Sequence, residues 1–282
     1  MTTKIHFTKM HGAGNDYIYV YTPDNPISNP NQAAIDWSRY HFGIGSDGLI
    51  LIGKSDKADF SMRMFNNDGS EGIMCGNGIR CVGKYVYDHR LTDKQTVSIE
   101  TLAGVLTLEL QVSDGLVQSA TVNMGEPILE NKEQLGTPSG GMLAGQIEAD
   151  GQTFKGTYVC MGNPHFIIFV DDVMSIPLTE IGPKLECHPI FPQRCNIEFA
   201  QIREDGSIRM RVWERGSGIT MACGTGACAT AVAAAINQLA GNQSLIEMDG
   251  GTLKIEWNKE DNHIYMTGPA ATAFEGVIEL EQ

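Results

Sequence analysis

Short apolar runs bounded by Gly, Asn, Asp or Pro occur at residues 4–10, 17–21, 48–52 and 60–65. Runs of that length and flanking chemistry predict strands. Residues 76–88 follow with helical character, and residues 97–101, 105–111 and 116–123 return to an alternation of period two. Near the far end, residues 225–239 are Ala-rich and apolar nearly all round, which predicts a buried helix. A buried helix among many short strands implies a closed or nearly closed sheet around a central helix.

The same landmarks occur twice. Gly14-Asn15 opens Gly-Asn-Asp-Tyr-Ile-Tyr-Val, and Gly162-Asn163 opens Gly-Asn-Pro-His-Phe-Ile-Ile-Phe-Val. Cys75-Gly-Asn-Gly returns as Cys223-Gly-Thr-Gly at an offset of 148 (223 − 75 = 148), and Arg63 and Arg211 keep that offset. Gly104-Val-Leu-Thr-Leu-Glu-Leu answers Gly251-Thr-Leu-Lys-Ile-Glu-Trp at 147, so one residue has been lost in between. Four landmarks in one order at nearly one spacing identify a duplication, with a period too long for a solenoid. Each half therefore predicts a buried helix wrapped by strands. The join falls near residues 125–141, where Gly, Pro, Ser and Glu accumulate.

Composition narrows the function classes. A chain of 282 residues with 42% apolar content is long enough for two domains with real cores. A formal charge of −14 argues against a nucleic-acid surface. The opening MTTKIHFTKMHG lacks the apolar segment of a signal peptide, and no run approaches the roughly 18 apolar residues of a membrane span. The expected setting is cytoplasmic and off the membrane, where the seven cysteines stay reduced.

The chemistry concentrates at the two Cys-Gly-X-Gly segments, each just ahead of a predicted helix. Backbone N–H groups of Gly76, Asn77, Gly224 and Thr225 are suited to hold a carboxylate there, and a helix N-terminus favours a thiolate. Cysteines on two quasi-symmetric halves can serve opposite faces of one carbon. One thiolate removes a proton, the other thiol returns one, and the stereocentre inverts without a cofactor. Cys81, Cys160, Cys187, Cys195 and Cys228 read as buried packing residues. Cysteine and histidine spacings give no metal motif, and His11-Gly-Ala-Gly-Asn runs into a strand rather than the helix a dinucleotide site needs.

Polar residues before each cysteine have diverged between the halves. Asn66 and Asn67 stand where the second half has Glu214 and Arg215, as an asymmetric substrate on a symmetric scaffold requires. Arg215 suits a carboxylate through its planar fork. Asn15 and Asn163 are equivalent, Asn196 answers Gly48, and His165 is placed to hydrogen-bond a thiol. Three readings remain at this point: an epimerase, a related racemase on the same scaffold, or a thiol-redox or binding protein. The absence of C-x-x-C weighs against thiol redox.

Read together, Lys9-Met-His-Gly-Ala-Gly-Asn-Asp-Tyr, Phe65-Asn-Asn-Asp-Gly-Ser-Glu, Met74-Cys-Gly-Asn-Gly-Ile-Arg-Cys, Gly162-Asn-Pro-His, Trp213-Glu-Arg-Gly-Ser-Gly and Ala222-Cys-Gly-Thr-Gly-Ala-Cys-Ala resemble diaminopimelate epimerase. The C-terminal Thr267-Gly-Pro-Ala and Phe274-Glu-Gly extend the resemblance to nearly the whole chain. It implies an α/β fold of the α+β type, with two pseudo-symmetric domains, each a β-barrel around a central helix. The expected divisions are residues 1–126 with a returning strand at 268–282, carrying Cys75, and residues 127–267, carrying Cys223. The resemblance also implies interconversion of LL- and meso-diaminopimelate in lysine synthesis, without pyridoxal phosphate or metal, by a homodimer. Carried over by position, Cys75 and Cys223 are the proton-transfer pair, tuned by His165 and Glu214. Asn15, Asn66, Gly76, Asn77, Asn163, Asn196, Glu214, Arg215, Gly224 and Thr225 face the substrate. Gly48 departs from relatives that place a substrate-contacting Gln there.

Overall fold

The computed structural model describes residues 2–281. The chain divides into two compact units, Met1–Asn123 with Thr267–Gln282, and Met124–Met266. The fold is mixed α/β, mostly sheet with few helices, and barrel-like in each unit.

In the first unit, strand Thr2–Gly12 pairs antiparallel with the C-terminal strand Ala271–Glu281 on one side and with Asn15–Tyr21 on the other. Ala13 and Gly14 both sit at positive φ, 55° and 81°, which gives the tight mirror-image turn that hairpins prefer. Asn15–Tyr21 runs parallel to Gly48–Gly53, which pairs antiparallel with Phe60–Asn66. Phe60–Asn66 then runs parallel to Thr96–Thr101, followed by the antiparallel strands Gly104–Ser113 and Leu116–Asn123. Helix α1 spans Pro30–Ser38 and α2 spans Gly76–Asp88.

The second unit repeats this order of pairings. Gln152–Cys160 is antiparallel to Pro164–Phe169, which is parallel to Asn196–Ile202. Asn196–Ile202 is antiparallel to Ile208–Glu214, which is parallel to Gln243–Met248, itself antiparallel to Gly251–Trp257. Helix α3 spans Leu178–Glu186 and α4 spans Gly224–Ile236.

The duplication holds at single-residue register. Tyr17 lies opposite Gly48, and their equivalents His165 and Asn196 lie opposite each other. Leu49 pairs with Phe65 as Ile197 pairs with Trp213. Helices α2 and α4 are both 13 residues long and end alike. Leu91 N–H returns to Val86 O at 2.9 Å, and Leu239 N–H to Ala234 O at 2.9 Å, with Arg90 and Gln238 at positive φ just before. This αL closure stops α4 at Ile236, short of the 239 expected from composition.

Each sheet is covered on two faces where the site is built. Helices α2 and α4 are buried along nearly their whole length. Ala33, Ala34 and Trp37 of α1 pack with Ile18, Val20, Leu49 and Leu51, while Leu178, Ile181 and Leu185 of α3 pack with Phe166, Ile168, Ile197 and Phe199. Strands caught between two layers read as continuous apolar runs; Gly104–Ser113, with one face exposed, alternates. Each fully buried Ile, Leu or Phe contributes about 1.5–3 kcal/mol. Among the described residues, no helix is long and apolar enough to cross a membrane.

Candidate active site

Each Cys-Gly-X-Gly segment is a helix N-terminus with the cysteine as cap. Cys75 has φ −131° and ψ 116°, and its Sγ accepts from Gly78 N–H at 3.3 Å. Cys223 has φ −124° and ψ 110°, and its Sγ accepts from Gly226 N–H at 3.4 Å. The sulfur thus takes the place of the oxygen of a Ser or Asp cap, at the positive end of a buried helix. Glycine at the third helical position is what admits it. A Cβ on Gly226 would stand 3.2 Å from the Cys223 sulfur and 2.7 Å from Glu198 Oε1.

Around Cys75, the thiol donates to Asn15 Oδ1 at 3.2 Å. The Asn15 amide donates in turn to Asp47 Oδ2 at 2.7 Å, which also accepts Asp16 N–H at 3.0 Å. Asp47 therefore fixes which end of the Asn15 amide meets the sulfur. Burial raises the Asp47 carboxyl above its ordinary range, against the pull of the Asp16 and Asn15 hydrogen bonds. Tyr17 is buried beside the same thiol; burial first, then the charges of Cys75 and Asp47, push its hydroxyl well up. Nothing in the sequence marked Tyr17 or Asp47 as part of the site. Asn66 spends its amide on Ser70 Oγ at 3.0 Å. The Asn77 side chain is buried against Arg80 at 3.0 Å, so only its backbone is offered to a ligand.

Around Cys223 the setting is acidic. Burial pushes this thiol well above the ordinary cysteine range, and the Glu214 and Glu198 carboxylates push it further. Hydrogen bonds from Thr225 and Gly226 oppose them and lose. The lowering expected from the helix end alone is thus outweighed. Burial also raises Glu214, against hydrogen bonds from Thr220 and Cys223. His165 does not bond a thiol as expected. It is fully buried, with Nδ1 2.6 Å from Glu198 Oε1 and Nε2 3.0 Å from Asn163 Oδ1. Asn196 is also buried; its amide donates to Pro164 O at 3.2 Å and accepts Arg215 N–H at 2.7 Å. With both amide ends committed, Asn196 acts on the Arg215 loop rather than reaching outward. Arg215 is exposed, with Nη1 on Gln193 O at 2.9 Å.

Glu198 was missed by sequence reading. It hides in an apolar strand, and the available signal was its equivalence to Ile50 across the repeat. Cys81, Cys160, Cys195 and Cys228 are buried as expected; Cys187, at the end of α3, is exposed instead.

The diaminopimelate epimerase family pattern matches residues 7–130 and 157–273. The chain belongs to the diaminopimelate epimerase family. That family is one of isomerases. The chain is 61% identical over 280 residues to the diaminopimelate epimerase of Phocaeicola vulgatus, covering 99% of this chain and 100% of the relative. The enzyme of that name from Bacteroides thetaiotaomicron is 57% identical over 279 residues, with 99% and 100% covered. The one from Methanococcus maripaludis is 52% identical over 275 residues, with 97% and 99% covered. Among solved structures, a PhzF-family phenazine biosynthesis protein from Bacillus anthracis shares the fold at TM-score 0.72 and 17% identity, covering 98% of this chain and 99% of that one. A hydroxyproline epimerase from Agrobacterium vitis shares it at TM-score 0.71 and 16% identity, covering 99% and 92%.

The family resemblance carried one departure, Gly48, and in this chain the position is closely packed. A Cβ there would overlap the Phe65 carbonyl oxygen and stand 3.0 Å from the Tyr17 ring. The obstacle is backbone of the neighbouring strand, so it cannot swing aside. Gly48→Ala is expected to destabilise the protein by about 1–3 kcal/mol. A thermal melt checks this; an unchanged midpoint would contradict it.

Proposed function

We propose that this chain interconverts LL- and meso-diaminopimelate by proton transfer at one Cα, with Cys75 and Cys223 as the two proton-transfer groups. The observation that carries the reading is the pair of equivalent N-cap cysteines, each with its sulfur on a helix-terminal N–H. Lysine synthesis, a cytoplasmic setting and a homodimer belong to the same proposal, by resemblance to the family.

In this mechanism the α-carboxylate is held by backbone N–H groups of Gly76, Asn77, Gly224 and Thr225 at the two helix starts. One thiolate takes the Cα proton: the C–H bond breaks, an S–H bond forms, and the electron pair spreads toward the carboxylate. Helix N–H groups already aimed at that charge stabilise it without reorganising. The opposite thiol then gives its proton to the other face of the carbon and becomes the thiolate. The two cysteines end with exchanged roles, so which acts first as base depends on the stereoisomer bound. Asn15 orients the Cys75 thiol; Glu214 sets the charge around Cys223. Asn66, Asn163 and Arg215 recognise the rest of the substrate, Arg215 its distal carboxylate, and Asn196 holds the Arg215 backbone.

Arg215→Lys keeps the charge and loses the two-pronged hydrogen bond. It is expected to raise KM by about 10-fold, the equivalent of roughly 1.5 kcal/mol, with kcat little changed. Initial rates against substrate concentration check this; an unchanged KM would remove Arg215 from the distal subsite.

The direct test of the function is incubation of reduced protein with LL-diaminopimelate and no added cofactor, followed by chiral chromatography. Appearance of the meso isomer supports the reading; its absence, with turnover of proline or hydroxyproline instead, would replace it by a sister racemase.

A further inference from the structure

The second half buries a histidine–carboxylate pair where the first half has none. By the repeat, His165 is equivalent to Tyr17 and Glu198 to Ile50, and the matched strand registers place them so. Both Ile50 and Glu198 press on the third residue of the central helix. A Cβ on Gly78 would stand 2.7 Å from Ile50 Cδ1, and one on Gly226 2.7 Å from Glu198 Oε1. A carboxylate oxygen in one half thus occupies the place of a methyl group in the other.

That exchange is costly. Glu198 is 0% exposed, and its Oε2 has no hydrogen-bond partner among the described residues. An incompletely satisfied buried carboxylate costs several kcal/mol relative to an apolar residue of similar size. Ile50 shows that this architecture is built without it. The fold therefore gains nothing from Glu198 that isoleucine would not supply, and the residue's remaining contact is with His165, at 2.6 Å.

We propose that Glu198 is a positioning residue of the Cys223 half-site, accepting Nδ1–H of His165 and so holding the ring with its Nε2 edge facing the Asn163 side chain. The chain of contacts runs Glu198, His165, Asn163, and fixes the orientation of an amide that the proposed function, on which this inference rests, assigns to the substrate. Hydrogen bonding at one ring nitrogen sets what the other can do, as in other carboxylate–histidine pairs. The titratable groups facing the pair are Glu214, Cys223 and Cys195. Glu198 also keeps a second negative charge beside the Cys223 thiol, a charge that Cys75 lacks in the corresponding place.

The test uses the whole protein labelled with ¹⁵N-histidine, with Glu198→Ile, which installs the first half's residue, and Glu198→Gln, which keeps an acceptor without the charge. Long-range ¹H–¹⁵N spectra report the ring proton of His165, assigned by its loss in His165→Gln. We expect a protonated Nδ1 in the parent and in Glu198→Gln, and a shift of the proton away from Nδ1 in Glu198→Ile. The Ile variant should lose roughly 10–100-fold in kcat with a melting temperature at or above the parent's, and the Gln variant should lose less. An unchanged His165 pattern with unchanged kcat in Glu198→Ile would overturn the proposal, as would equal kcat losses in both variants that track their loss of stability. Should the Ile variant fail to fold, a Gln variant in which Nδ1 is no longer protonated while kcat stays parental would overturn it equally. The ring spectrum needs no substrate, so it separates failure of this inference from failure of the diaminopimelate reading.

Discussion

Cys75→Ser and Cys223→Ser should each lower kcat by about 10²–10⁴-fold or more, the usual reach of one positioned acid or base. An alcohol is a far weaker acid than a thiol, so serine can neither form the anion that takes the Cα proton nor return the proton readily. Serine is at the same time a preferred helix cap, able to accept the Gly78 or Gly226 N–H that the sulfur accepts now. The variants should therefore melt within about 1 kcal/mol of the parent, and the collapse in rate is chemical rather than structural. Because a catalyst cannot move an equilibrium, each variant must lose the same factor in kcat/KM in both directions. Rates measured from the LL and the meso side, beside thermal melts, check all three statements. Full activity in either variant would end the two-base account.

Arg80→Met should destabilise the first unit by about 3–5 kcal/mol, which for a protein of this size lowers Tm by about 6–20 °C. Arg80 is fully buried in α2. Its guanidinium donates to Gly76 O at 3.1 Å, to Asn77 Oδ1 at 3.0 Å and, from the C-terminal segment of the same unit, to Pro269 O at 3.3 Å. Removing it strands those acceptors without water and opens the space beside Gly12, where a Cβ would stand 3.0 Å from the Arg80 nitrogen. The same contacts steady the first turn of the helix that Cys75 caps, so kcat should fall as well. Cys228, the equivalent in α4, is small and fully buried, so the second half carries no guanidinium at this place. A Tm within about 2 °C of the parent would contradict this account of Arg80.

Much of the site was legible because duplication makes the chain its own comparison. The offset of 148 singled out Cys75 and Cys223 from seven cysteines, and the registers of Tyr17 with Gly48 and His165 with Asn196 repeat it in space. Helices α1 and α3 escaped notice although they too lie at that offset. Pro-Asn-Gln-Ala-Ala-Ile-Asp-Trp-Ser and Leu-Thr-Glu-Ile-Gly-Pro-Lys-Leu-Glu share almost no residues, since a helix on the outer face of a sheet need only present a few apolar side chains. Glu198 and Asp47 were hidden for a different reason. Each acts through a neighbour, Glu198 on His165 and Asp47 on Asn15, and contacts of that kind depend on three-dimensional placement rather than spacing. The buried state of Cys223 is similar: a helix start in the sequence predicts a lowered thiol, and burial, with the packed carboxylates of Glu214 and Glu198 added to it, reverses that direction.

The central claim is that two thiols exchange a proton at one substrate carbon, and its most direct test is NMR of LL-diaminopimelate incubated with the reduced protein in D₂O without added cofactor. Deuterium appearing at Cα of the meso product, and lost from neither stereochemical course when Cys75 and Cys223 are intact, is the result predicted. Meso product that retains the original proton throughout, or no exchange at all from a folded and reduced sample, would contradict it.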